Sequence, residues 1–243
     1  MIRYRKGSAP PMRRSAPALA SGARTGGAPK LAVTAMLDFH WNDLDGDDRR
    51  EINIALARDQ GRLCAYCQRR IVPDLDVATG RPRMSIEHWV ARATDPDEEL
   101  HFRWTNLLGV CLGGAGTPEL TCDKARGSRP LFLHPVADQG PDPTAYLRYL
   151  KNGTVEYQQD TPHATDDIAT LNLNADRLVR GRKAIYLREF ELRLKGLTPA
   201  ETVRELRRIV REHTIVSGGV VPEHAEFVRF HARKKLRRYG VEE

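Results

Sequence analysis

Cys64-Ala65-Tyr66-Cys67, Ser85-Ile86-Glu87-His88, Cys111 and Cys122-Asp123 are the stretches on which the reading of this chain turns. They hold all four cysteines of the 243 residues, in two pairs, with a Glu-His dipeptide between the pairs. Two residues between Cys64 and Cys67 let two thiolates close on one tetrahedral ion, and Cys111 with Cys122 completes the four ligands of a structural zinc. Disulfides are the first alternative. No apolar run of a signal-peptide kind follows the basic start, so a cytoplasmic location is expected, where thiols stay reduced. A thioredoxin-like redox pair is the second alternative, but it leaves Cys111 and Cys122 without a role. Zinc is the expectation.

Outward from the cysteines, Arg83 to Val90 alternates as a strand, with Met84, Ile86, His88 and Val90 on one face. Adjacent Glu87 and His88 then point to opposite faces, and they share a site only if the strand bends or ends just after His88. Trp104 to Leu108 is a short apolar segment leading to Cys111, and Gly113-Gly114-Ala115-Gly116 is a flexible excursion before Cys122. A short helix is expected from Cys122 through Arg129. Upstream, Asp47 to Arg58 reads as a helix with Ile52 and Leu56 on one face, broken by Gly61.

Downstream, Asn152-Gly153 between two β-prone runs, Tyr146 to Lys151 and Thr154 to Gln158, predicts a type I′ hairpin. Asp176 to Leu194 reads as a helix. Thr198-Pro199-Ala200-Glu201 is a capping box that opens another, and a last helix covers roughly 222–239. Residues 7–30, rich in Pro, Gly, Ser and Ala, are expected to be extended or disordered, with Ile2-Arg3-Tyr4 ahead of them as a candidate short strand.

Composition is that of a chain able to bury a core, 40% hydrophobic and 29% charged, with no apolar run long enough to span a membrane. Residues 1–35 carry seven Lys/Arg and no Asp/Glu, which accounts for the whole formal charge of +7. A second cluster, Arg229 to Arg238, has six basic residues in ten positions. Such patches suit a polyanion and are also compatible with a solvated tail and helix face. The N-terminal prolines break any amphipathic transit helix.

Phosphodiester hydrolysis needs a base for water, a divalent cation on oxygen ligands, and a group that holds the base in place. His88, the pair Glu87 and Asp123, and Asn106 match these needs. Ile86-Glu87-His88, Asn106-Leu107-Leu108, Cys111 and Cys122-Asp123-Lys124-Ala125-Arg126-Gly127 resemble the HNH endonuclease pattern with a four-cysteine zinc site, over residues 62–130. The resemblance implies His88 as base, Glu87 and Asp123 as ligands of catalytic Mg²⁺ or Mn²⁺, and Asn106 as the residue that fixes the hairpin. Met1-Ile2-Arg3, Ile86-Glu87-His88-Trp89, Leu131-Phe132-Leu133-His134-Pro135 and Thr170-Leu171-Asn172-Leu173-Asn174 are similar to the HNH subunit of Septu-type and retron-associated anti-phage systems. That narrower resemblance implies an ATPase partner. Trp89, Val90, Ala91 and Arg92 depart from the pattern of that subfamily, as does Arg126, where lysine is commoner.

Each residue also has an ordinary structural role open to it. His88 can be a hydrogen-bonded core histidine, Asn106 a turn residue, Asp123 a helix cap and Glu87 the partner of an arginine. Lys124 and Arg126 are candidate phosphate contacts. Trp89 and Trp104 are expected to pack against the zinc knuckle, and His101, His134 and His163 to be structural.

The expected fold is α+β: a ββα-metal core with a zinc knuckle over 36–135, a basic segment over 1–35, and a β-hairpin with a helical region over 136–243. The expected partner is nucleic acid, DNA first, with no membrane. A zinc-ribbon binding module without catalysis is the competing reading.

Overall fold

The computed structural model describes residues 1–10, 40–96, 99–158, 166–215 and 218–242. Most of the expected extended segment, and His163, lie outside them.

Helix α1 (Gly46–Asp59) begins at Asp45, whose side chain accepts from the Asp48 amide at 2.8 Å. That bond satisfies one of the orphan donors of the first turn. Ile52 and Leu56 are fully buried, so the expected apolar face is the face that packs. At the helix end Gln60 turns inward. Its amide donates to Gly109 O at 2.7 Å and its Oε1 accepts from Gly109 N at 2.8 Å. This exchange fastens α1 to strand β2.

Strands β1 (Ser85–His88) and β2 (Leu107–Val110) pair antiparallel, with His88 opposite Leu107 and Glu87 opposite Leu108. β1 is half as long as its alternation suggests and stops at His88, the position where the chemistry required a break. Helix α2 (Cys122–Arg126) follows the glycine excursion and is also shorter than expected. Gly127 closes it with φ +60°, a left-handed conformation that favours glycine.

A four-residue helix α3 (Pro143–Tyr146) leads into β3 (Leu147–Tyr149), which pairs antiparallel with β4 (Val155–Tyr157). The hairpin is present, but its turn is not type I′. Gly153 N donates to Leu150 O at 3.0 Å, and Leu150 N to Thr154 O at 3.0 Å. Gly153 has φ +97°, while Asn152 stays out of the positive region. The loop is therefore a three-residue type I turn closed by a glycine bulge.

Helix α4 (Asp167–Thr170) precedes α5 (Asp176–Tyr186), which passes into a π-helical turn over Leu187–Leu192 instead of running on as α-helix. Helix α6 (Pro199–Glu212) has both hydrogen bonds of the Thr198/Glu201 capping box, and α7 (Ala225–Arg238) packs against it. One hydrophobic core runs through both halves of the chain, from Met1 to Leu236, and is continuous across residues 135–136. The start of the chain belongs to it. Met1 and Ile2 are almost fully buried, and Tyr4 forms a parallel bridge with Val136. Residues 1–4 are thus part of the folded body, not of a free basic tail. Among the described residues no helix is long and apolar enough to cross a membrane.

Candidate functional site

The four cysteines converge. Cys64 and Cys67 come from the turn after α1, Cys111 from the end of β2, and Cys122 from the first residue of α2. Their sulfurs all lie within 4.8 Å of one another, with Cys64–Cys122 at 3.8 Å, Cys67–Cys111 at 3.6 Å and Cys111–Cys122 at 3.7 Å. A tetrahedron of thiolates at the usual Zn–S distance has edges of about 3.8 Å. Disulfides need about 2.05 Å, so the cysteines are free thiols in an arrangement that fits one zinc. No protein cation need be found for the thiolates, because the metal supplies the charge.

Beside this cluster, the end of β1 presents Glu87 and His88. His88 is buried, and its Nε2 lies 3.0 Å from the carbonyl of His101. A carbonyl can only accept, so Nε2 carries the proton and Nδ1 keeps the lone pair in the neutral ring. Burial is the main cause that lowers the His88 pKa to about 4, with Arg92 and Arg49 acting in the same direction. The ring is therefore neutral at ordinary pH, the form a base needs. Trp41 stands edge-on to it, ring centroids 4.5 Å apart, and fixes its plane.

Asn106 locks the chain just beyond the strand. Its Oδ1 accepts from Val90 N at 2.7 Å, while its Nδ2 donates to Val90 O at 3.3 Å and Leu100 O at 3.0 Å. Trp89 N also donates to Asn106 O at 2.8 Å. These bonds tie together the two ends of the excursion between β1 and β2, which carries His101.

Glu87 is buried against Arg126, whose Nη1 donates to Glu87 Oε1 at 2.5 Å. The Tyr66 hydroxyl approaches the same oxygen at 3.4 Å, which leaves Oε2 clear of both donors. Burial first and the charge of Asp123 second push the Glu87 pKa up to about 8, and the two carboxyl groups share a hydrogen bond. Two carboxylates held this closely repel unless a proton or a cation lies between them. Asp123 is partly buried, its side chain 21% exposed, and sits 3.4 Å from Lys124 Nζ. Thr121, not Asp123, occupies the N-cap of α2.

Arg126 differs from its expected surface role. Its side chain is 1% exposed. Besides Glu87, it donates to the carbonyls of His88 at 3.1 Å, Trp89 at 2.5 Å and Arg129 at 2.7 Å. A guanidinium enclosed by one carboxylate and three carbonyls has no fork left for a phosphate. Lys124, by contrast, is 48% exposed. Trp89 packs on the His134 ring and donates to Leu133 O, and Trp104 donates to Gly7 O beneath the Lys6 ammonium. Both indoles are thus occupied by their own chain. His134 is buried, and its Nδ1 accepts from Val136 N.

Among the described residues, the cysteines form the one cluster of three or more side chains able to close on an ion. Glu87 and Asp123 bring two carboxyl groups together, and His88 follows Glu87 at the end of β1. Magnesium, which keeps most of its water and is often held by one or two carboxylates, fits such a donor set. Three contributors escaped the sequence reading: Trp41, the His101 carbonyl and the Tyr66 hydroxyl. Trp41 lies outside the cysteine bracket, and a backbone carbonyl has no sequence signature. Only Tyr66 was marked by position, inside the Cys-x-x-Cys.

No family model matches the chain. Over 77 residues it is 34% identical to a protein of Escherichia coli described as a retron Ec83 putative HNH endonuclease, a match covering 28% of each chain. The likeness is therefore local, and the matched part is well under half the length of that relative.

Proposed function

We propose that the chain is a metal-dependent nuclease whose β1, β2 and α2 form the ββα unit of an HNH site. The observation that carries this reading is the tautomer of His88. Its Nε2 is committed to His101 O, so Nδ1 is a fixed, neutral acceptor at the end of β1, next to two carboxyl groups that share one proton in a hydrogen bond. In this reading His88 Nδ1 takes the proton from the attacking water, and the His101 carbonyl stabilises the imidazolium that results. Glu87 Oε2 and Asp123 would hold Mg²⁺ or Mn²⁺, which when bound neutralises charge on the phosphate and on the leaving oxygen. Asn106 keeps the loop closed so that the His88 ring does not swing away. The exposed Lys124 would meet a phosphate, while Arg126 acts by orienting Glu87.

The local similarity to a retron HNH endonuclease supports a nuclease, and DNA is the first substrate to test. On the sequence resemblance alone we extend the proposal to an anti-phage role with an ATPase partner. A binding module without catalysis accounts for the cysteine cluster, yet gives no reason for a buried Glu87 held against Asp123 beside an oriented neutral histidine.

Plasmid DNA incubated with the zinc-loaded chain and Mg²⁺ tests the proposal, with and without a co-purified ATPase. Cutting or nicking is expected from wild type, with a loss of at least 10²-fold in His88→Ala, the scale of a general base. Cutting that survives intact in His88→Ala would remove His88 from the chemistry. A chain that cuts neither DNA nor RNA under any of these conditions, while keeping its zinc, is a binding module.

A further inference from the structure

We propose that the hairpin turn, α5 and α7 form a second nucleic-acid contact, a platform for backbone phosphates built on elements other than those that carry His88; it deepens the nuclease reading and rests on it only for the identity of the polyanion.

Lys151 of the turn and Lys234, Lys235 and Arg238 of α7 rim a cavity of about 110 Å³, floored by the rings of Tyr186 and His231. A neighbouring depression of about 320 Å³ shares Lys151 and Tyr186 and adds Arg180 and Lys183 of α5. Six cations thus line two neighbouring hollows, and Glu191 is the one carboxylate among the residues lining them. None of the six forms an ion pair among the described residues. Several arginines elsewhere in this half of the chain are neutralised. Arg193 is held by Glu189, Glu205 and Glu212, Arg208 by Glu212, and Arg229 by Glu226. Unpaired cations that crowd each other need an external counter-charge, and the crowding is already felt. Burial chiefly, then Lys151 and Arg238, lower the pKa of Lys235.

The floor carries a second mark of a ligand. His231 is 5% exposed and lines the cavity, yet its Nε2 has no hydrogen-bond partner among the described residues. A buried polar atom left open in this way costs free energy unless something occupies the hollow. A bound anion offsets the surrounding lysines, so that the ring can take a proton and donate from Nε2. Lys234 and Arg238 are one helical turn apart, about 6 Å along the axis, comparable with the step between successive phosphates. A charged row with an aromatic ring beside it is the form of sequence-independent strand binding.

The experiment measures binding, not cutting. In a His88→Ala background, K151Q/K234Q/R238Q is compared with K195Q/R204Q/R211Q, which removes the same charge outside the hollow. Folding is checked by circular dichroism and zinc content, and the probe is a fluorescent DNA duplex of about 20 base pairs titrated at several salt concentrations. The first variant is expected to bind about tenfold or more weakly at low salt, with a log–log salt slope shallower by about three. The second should stay close to the parent. Equal losses in both variants, unchanged binding in the first, or no binding by the parent overturns the platform. So does lost affinity for polyglutamate with DNA affinity intact, which would mark an acidic protein as the partner. If the platform variant loses binding while the chain with His88 never cuts, the platform stands and the nuclease reading falls. Cutting that persists with unchanged binding gives the reverse.

Discussion

Arg126 shows how one side chain can hold a site together without touching a substrate. Its guanidinium is the only cation in contact with the buried Glu87 Oε1 among the described residues, and it also bridges the carbonyls of His88, Trp89 and Arg129. Removing it leaves Glu87, whose pKa is already pushed up to about 8, and three carbonyls without their donor. Arg126→Ala is therefore expected to cost about 3–5 kcal/mol, because several buried acceptors left without a donor cost about 1–3 kcal/mol each. Arg126→Lys keeps the charge but cannot reach three carbonyls with one ammonium, so it should retain part of that loss. Urea denaturation of both variants checks the order. Wild-type stability in Arg126→Ala would mean that Glu87 and the three carbonyls find other donors. The reading of Arg126 as a phosphate contact failed for a related reason: sequence spacing placed it beside the site, but only packing decides whether a side chain faces in or out.

At the scale of elements, the hairpin turn is the most tightly constrained joint. Gly153 has φ +97°, and a Cβ there would lie 2.2 Å from Val179 O on α5. Gly116 has a similar φ of +83° with nothing within 4 Å. The pair separates two effects. Gly116→Ala carries only the left-handed strain, about 1–2 kcal/mol. Gly153→Ala adds a backbone clash and is expected to cost at least twice as much, read as the larger fall in Tm. Equal shifts would show that the turn moves away from α5 without penalty. These local joints also explain what the sequence made legible. Caps and periodicity are written within a few residues, so α1, the Thr198 capping box and the hairpin could be read directly. The type of turn could not, because Asn-Gly suits either a type I′ turn or a type I turn with a bulge. The packing of Gly153 on α5 accompanies the second. The end of β1 at His88 was foreseen from a chemical need, not from propensity. The π-turn after Tyr186 had no local signal, and neither did Trp41, whose relation to His88 exists only in the folded chain.

For the whole molecule the cysteine cluster is the structural centre. It joins the turn after α1, the end of β2 and the start of α2, and Asp123 follows directly on Cys122. The apolar core is continuous from Met1 to Leu236, so among the described residues no part has a separate core to retain when the cluster opens. Loss of zinc should therefore act on stability and on chemistry together. One zinc per chain is expected by elemental analysis. A strong chelator should lower Tm in a single transition and abolish cutting even when Mg²⁺ is restored, and added zinc should recover both. Because the ligands are thiolates, the chelator should also act at lower concentration as pH falls. Magnesium alone rescuing the chelated protein would break the link between the cluster and Asp123. Unchanged Tm with no zinc recovered would show that four thiols, packed at the edges of a tetrahedron, can stand without an ion at its centre.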